Sequence, residues 1–301
     1  MKISAIDVGS NSVRLATFAG GKTLYKTLKT TRLGEGLSLT GKLKQEAIER
    51  SALAVAEFCR KAIEDGSGKV YVFATAAVRS SVNGQAFVER VKELCGLQVE
   101  VLSGEEEAKC GVLGAVGDGD GGIIDVGGAS TEVTYQSNGR VLYSKSVNIG
   151  TVRLYDLAGR NKEKLLKVIK EKVQEYDAPC HSAPLCHSEH SEESLFSLPT
   201  YAIGGTASRL GSIKHGLKEY HPEITDGTVI TLDEMYNLAD RLLSTSVEEI
   251  RATTICGSSA EIVGGGCLLI AEVMNKFGVK EITVSEKDNL EGFVLLKEGK
   301  L

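Results

Sequence analysis

The chain has no tryptophan, only four prolines, and just 5% aromatic residues. A core short of rings has to be built from aliphatic side chains, and scarce proline leaves long elements unbroken. No stretch approaches the ~18 consecutive apolar residues of a membrane span, so no membrane partner is expected. The opening residues, MKISAIDVG, enter a polar turn after a few apolar positions, which is not the pattern of a signal peptide. The expected location is therefore cytoplasmic. An excess of positive charge is also missing: 35 Lys and Arg stand against 40 Asp and Glu, a formal net charge of −5. General nucleic-acid binders are basic, so no nucleic-acid partner is expected. A polyanionic substrate would have to be met by a local cluster of donors rather than a global field. Disulfide-like cysteine spacing is absent as well. Cys59, Cys95, Cys110, Cys256 and Cys267 are scattered through apolar or helical contexts, as reduced core thiols are.

What remains is an ordinary globular composition, 42% hydrophobic and 25% charged, over 301 residues. That length suits two domains of common size. Glycine is plentiful at 34 residues, and its placement carries the first functional signal. The stretch AIDVGSNSVRL (5–15) has a near copy, IIDVGGASTEV (123–133). Each is a short apolar run, a glycine-bearing turn and an alternating run, the signature of an antiparallel hairpin with an acid ending its first strand.

Strand patterns fall at 2–7, 12–18, 23–30, 70–75 and 98–102, with amphipathic helices at 43–65 and 84–95. The second half repeats the outline after a glycine-rich joint at 117–122. It has a hairpin around Ser137-Asn138-Gly139, helices at 151–158 and 162–176, and a strand at 201–206. Helices at 232–243 and 258–276 and a last strand at 281–285 complete it. The expected fold class is α/β with two similar halves, residues 1–119 and 120–301. A Ser-, His- and Pro-rich segment at 178–199 interrupts the second. Its Cys180, His181, Cys186, His187 and His190 match no common zinc spacing, and a surface insertion is the better reading.

The first turn, Asp7-Val8-Gly9-Ser10-Asn11-Ser12, combines features suited to a phosphate. Glycine admits close approach, Ser10, Asn11 and Ser12 add donors, and backbone N–H groups line the turn. Asp7 can reach a hydrated Mg²⁺. The same residues also favour a plain hairpin turn. The second copy, with Gly127, Gly128, Ala129, Ser130 and Thr131 after Asp125, tips the balance. Two facing phosphate turns can clamp a phosphate chain and its metal between them. Glu132, just over the second turn, can converge with Asp125 on one ion. After 98–102, Ser103 and Glu106 form a capping box, and Glu105 suits the helix dipole, so both acids have structural tasks. Glu107 has neither.

The paired hairpins resemble the two phosphate loops of the actin-like ATPase and sugar-kinase superfamily. More narrowly, AIDVGSNSVRL, ATAAVRSSVNG (74–84), SGEEEA (103–108), DVGGASTE (125–132) and NIGTVRL (148–154) stand in the order found in the exopolyphosphatase and guanosine pentaphosphate phosphatase family. The resemblance implies two domains of ribonuclease-H-like, actin-like ATPase fold with a ligand cleft between them. It implies removal of the terminal phosphate of inorganic polyphosphate or guanosine pentaphosphate, with Mg²⁺ (Mn²⁺ remaining open) and water. By the family's motif Glu107 is the general base, and Asp125 and Glu132 hold the metal with Asp7 as an outer partner. Arg79 contacts phosphate. Asn11 is preferred to Arg14, which lies inside a strand, and Gly205 and Thr206 form a further turn in the second half. A homodimer is open.

The pattern departs from the family at Ala129, where a third glycine is usual, and at Ser259 and Leu290, where arginines are. The extra helical domain of longer relatives does not follow either, so short chains or a nucleotide are the expected substrates. Two rivals stand beside this reading: a superfamily ATPase or kinase, and a sensor that binds a phosphorylated ligand without catalysis.

Overall fold

The computed structural model describes residues 1–177 and 197–301. The segment read as an insertion, with its cysteines and histidines at 180–190, lies outside the described residues apart from positions 197–199. Eleven strands among the described residues form two sheets. The first contains β1 (Lys2–Val8), β2 (Ser12–Ala19), β3 (Lys22–Thr30), β4 (Ser67–Ala74) and β5 (Val99–Val101), in the order β3-β2-β1-β4-β5. The second contains β6 (Gly121–Val126), β7 (Thr131–Ser137), β8 (Arg140–Val147), β9 (Thr200–Ile203), β10 (Val229–Thr231) and β11 (Glu281–Val284). Read from its β8 edge, its order is β8-β7-β6-β9-β11-β10. Each sheet starts as a three-stranded antiparallel meander and continues with parallel strands on the other side of its first strand. The same order therefore occurs twice, with β10 added as an antiparallel edge. This is the doubled α/β architecture of the actin-like fold.

Local sequence explains the layers. The strands β1 and β6 are central and buried along almost their whole length, and both read as nearly continuous apolar runs. Between β3 and β4, helix Gln45–Glu64 buries Ile48, Ala52, Val55 and Cys59 on one face. Helix Val263–Phe277 is buried nearly all round and begins with three glycines. A Cβ at Gly266 would lie 2.6 Å from Thr151 Cγ2, and one at Gly264 2.9 Å from Leu243 Cδ2. Close packing, not flexibility, is what those glycines serve.

Four local differences from the sequence pattern matter. The strand read at 70–75 is followed at once by a helical turn over residues 76–79, because Thr75 turns the backbone out of the β1–β4 ladder. The expected glycine joint is shorter: Gly121 and Gly122 are buried in β6, and Gly122 lies against the Tyr135 ring, where a Cβ would come within 2.2 Å. Gly204-Gly205-Thr206 opens helix Gly204–Lys214 instead of ending a strand. Finally, the chain closes with helix Asn289–Glu298, which the pattern does not announce. Its Leu290, Phe293 and Val294 pack with Ile3, Ala5, Ala16, Phe18 and Phe73 on the first sheet. Phe293 stacks on Phe73 with ring centroids 4.4 Å apart. Two of the scattered thiols also meet, Cys59 and Cys95, with their sulfurs 3.6 Å apart. Among the described residues no helix is long and apolar enough to cross a membrane.

Candidate active site

The ends of β1 and β6 bring the two repeated turns to opposite walls of one cleft. The turns are built alike. Gly9 N–H donates to Ser12 O at 3.0 Å, and Gly127 N–H donates to Ser130 O at 3.1 Å. Their carbonyls are then drawn away by flanking segments. Asn11 O accepts from the N–H groups of Thr31 and Arg32, and Ser10 O from Gly34. In the second turn Gly127 O and Gly128 O accept from the first N–H groups of helix Thr151–Ala158. No protein acceptor among the described residues takes the N–H groups of Ser10, Asn11, Gly128 or Ala129. Those donors suit an anion in the cleft. The walls nearly touch, since a Cβ at Gly128 would lie 2.6 Å from Ser10 Cβ. That is where glycine is indispensable.

The acids gather beside these turns. In the hairpin registers Asp7 stands opposite Arg14 and Asp125 opposite Glu132, and residues directly opposite share a face. Arg14 therefore faces the cleft, contrary to the expectation that its strand position turns it away. Its Nε donates to Asp7 Oδ2 at 2.9 Å, Nη2 donates to the same oxygen, and Nη1 donates to Asp288 Oδ2 at 2.5 Å. Glu132 accepts from Ser146 Oγ at 2.6 Å. Asp125 Oδ2 accepts from Asn289 Nδ2 at 2.9 Å. Glu107, one turn into helix Gly104–Ala115, is buried and accepts from Arg79 Nη1 at 2.8 Å. Ser103 and Glu106 form the expected capping box.

This packing sets the electrostatics. Burial first, then the negative charge of Glu132, pushes the Glu107 carboxyl up to about 8 against the pull of Arg79. Burial and Glu107 raise Asp125 to about 7, and burial and Asp125 raise Glu132 to about 7. Asp7 is raised by burial and restrained by Arg14. Burial opposes ionisation of Asp288 too, but Arg14 and Lys26 outweigh it and hold that carboxyl below its ordinary range.

Not every expected phosphate contact reaches the cleft. Ser10, Asn11, Ser12, Gly127, Gly128, Ala129, Ser130, Gly205 and Thr206 line it, along with Asp7, Asp125 and Glu107. Thr131 is turned away: it is fully buried in β7, and its hydroxyl donates to Ile149 O at 2.6 Å. Thr206 spends its hydroxyl proton on Val126 O at 2.8 Å. Glu132 and Arg79 sit just behind the lining, and Arg79 also donates to Leu102 O at 2.7 Å. Leu290 is in the core under the first sheet, so the residue at that position has no bearing on a phosphate path. Ser259 does line the cleft and accepts from Asn11 Nδ2 at 3.2 Å, joining the two walls. Thr75, from the motif at 74–84, lines it as well, and so do Arg209 and Asn289, which none of the five motifs contains.

The residues fit a divalent cation of the Mg²⁺ type. Asp7 Oδ1 is buried without a hydrogen-bond partner, and Asp125 and Glu132 are neighbouring carboxylates that resist ionisation unless a positive charge joins them. Among the described residues no three His, Cys, Asp or Glu side chains form a metal cage of their own. Mg²⁺ commonly takes one or two carboxylates and fills its octahedron with water and substrate phosphate.

The chain is 27% identical to exopolyphosphatase 2 of Mycobacterium tuberculosis over 99% of both chains. It is 28% identical to the bifunctional 3-dehydroquinate synthase/phosphatase of Fusobacterium nucleatum, covering 97% of this chain but only 46% of that longer protein. Among solved structures, an exopolyphosphatase from Cytophaga hutchinsonii superposes with a TM-score of 0.82 at 23% identity, over 100% of this chain and 99% of the other, which shows the shared fold. The profile of the Ppx/GppA phosphatase family matches residues 16–300, and the chain belongs to that family.

Proposed function

We propose that this protein hydrolyses the terminal phosphoanhydride of a short inorganic polyphosphate or of guanosine pentaphosphate. The observation that carries the reading is Glu107: a buried carboxylate lining a cleft that also presents two phosphate turns and Asp125, with Glu132 opposite Asp125 just behind the lining. Asp125 and Glu132 would hold Mg²⁺, with Asp7 accepting from its water shell, and the bound ion would withdraw charge from the phosphate oxygens. The N–H groups of Ser10, Asn11, Gly128 and Ala129 orient the terminal phosphate. Glu107 takes the proton of the attacking water, and Arg79 fixes that carboxylate in place. In-line attack releases the terminal group as orthophosphate and leaves the chain one phosphate shorter.

The test is phosphate release with Mg²⁺ from tripolyphosphate, long-chain polyphosphate and guanosine pentaphosphate, for the native protein and for Glu107→Gln. A fall in kcat of about 10²- to 10⁴-fold is expected in the variant, with binding retained. Binding without release by the native protein would replace hydrolysis with the sensor reading, and transfer to an acceptor in place of water would favour a kinase.

A further inference from the structure

Two cationic side chains line the cleft, Arg14 and Arg209. Arg14 is committed to Asp7 and Asp288. Behind the lining, Arg79 is committed to Glu107. Arg209 pairs with no carboxylate among the described residues. Among the described residues its guanidinium makes one hydrogen bond, from Nη1 to Gly205 O, 2.6 Å away in its own helix. Guanidinium carries five N–H donors in a fixed fork, so most of its donors are unspent. A half-buried cation without a counter-charge is costly unless an anion completes it.

The guanidinium is also held in position. It lies across Gly205, where a Cβ would come 2.8 Å from Nη1. Gly204, at the start of the same helix, is similarly close to Asp125, with its would-be Cβ 2.8 Å from Oδ1. In the second sheet β6 runs between β9 and β7. Arg209 stands on the helix that follows β9, and Glu132 lies on β7. Helix Gly104–Ala115, which bears Glu107, crosses the sheet face: its first turn starts on the β8 side, with Gly104 against Ser146, and Gly111 reaches Ile123 of β6 and Ile203 of β9. Glu107 and Arg209 thus flank Asp125 from opposite directions. In-line displacement puts the leaving oxygen opposite the attacking one.

We infer that Arg209 is the binding group for the phosphates on the leaving side of the scissile bond. This rests on the proposed hydrolysis for its direction, though not for the presence of an anion subsite. The planar fork takes two oxygens of one phosphate or bridges two neighbours, which a lysine cannot reproduce fully.

The experiment measures phosphate release from tripolyphosphate by the native protein, Arg209→Met and Arg209→Lys. Calorimetric binding of tripolyphosphate and a thermal melt accompany each. For Arg209→Met, KM and Kd should rise about 10- to 100-fold, the loss of one charge-assisted contact. The Lys variant should fall between, and kcat should change far less than KM. Unchanged KM and Kd in Arg209→Lys and Arg209→Met overturn the subsite, as does a loss confined to kcat. If the Met variant melts early, the Lys variant decides: a Kd equal to the native value counts against the fork. Native protein that binds tripolyphosphate through Arg209 but releases no phosphate would sink the hydrolysis and keep the subsite. Native protein that neither binds nor releases overturns both.

Discussion

Arg14 faces Asp7 across the first hairpin from the same register position at which Glu132 faces Asp125 across the second. The duplicated hairpin thus carries opposite charge at equivalent points. In the first half the acid is neutralised by its neighbour, and Arg14 passes on to Asp288. In the second half two carboxylates oppose each other, with neutral donors beside them: Ser146 and Ser130 at Glu132 and Asn289 at Asp125. The demand for a cation therefore falls on the second hairpin, and the first supplies an acceptor already anchored in place.

Glu132→Gln should separate the cost of that acidic pair from its use. Metal-stripped variant protein should melt at a higher temperature than native at pH 8, because a buried repulsion is removed while the Ser146 bond has an amide oxygen to accept it. The Mg²⁺ concentration giving half-maximal stabilisation should rise by about tenfold or more, the loss of one carboxylate ligand. A scan of melting temperature against Mg²⁺ checks both. A lower melting temperature in the stripped variant would contradict the repulsion.

The pH dependence of stability has a definite sign. Glu107, Asp125 and Glu132 hold their protons in the fold to about 8, 7 and 7, whereas their ordinary values are 4.5, 3.8 and 4.5. Between those limits the folded protein binds more protons than the unfolded chain, so stability falls as pH rises. Metal-stripped protein should melt highest near pH 5 and progressively lower toward pH 8. Mg²⁺ should restore more at pH 8 than at pH 5, and an equal Mg²⁺ increment at both would argue against these carboxylates as its ligands.

Asn289→Ala removes the donor to Asp125 Oδ2. Leaving that oxygen buried without a partner should cost about 1–3 kcal/mol in urea unfolding. Asn289→Asp should cost more at pH 8 than at pH 5, since it puts a further acid beside Asp125. A pH-independent loss would mean that packing alone accounts for the residue.

Gly128→Ala drives a methyl to within 2.6 Å of Ser10 Cβ. The two phosphate turns must part to admit it. We expect kcat/KM to fall by about 10²-fold, as a displacement near 1 Å commonly does, while the global melt changes by only a few degrees. Native kcat/KM in this variant would show that the turns need not close so tightly.

The legible parts of the molecule were those written locally. Asp-Val-Gly repeats, the Ser103–Glu106 cap and the stripe of helix Gln45–Glu64 depend on residues a few positions apart, so spacing alone reveals them. Helix Asn289–Glu298 is different. Six of its first residues, Asn289 to Val294, are buried in succession, and without an exposed face it has no amphipathic period to read. Arg209 was invisible for another reason: what distinguishes it is the lack of a carboxylate partner among the described residues, a property of the assembled cleft. The direction of Arg14 needed the hairpin register, which the Gly9–Ser12 turn settles only once its hydrogen bond is known. Thr131 sits in the right motif, but strand alternation sends it inward.

The last helix has a consequence for how the protein is made. Phe18 and Phe73 leave the ribosome early, yet their covering ring, Phe293, follows roughly 220 residues after Phe73. At ordinary elongation rates of about 5–20 residues per second, that is a wait on the order of 10–40 s. During it the underside of the first sheet presents bare aliphatic and aromatic surface, and a nascent chain stalled before this helix is a ready client for a chaperone. Birth order and spatial order are thus reversed at this face: the half that emerges first is the half that must be finished last.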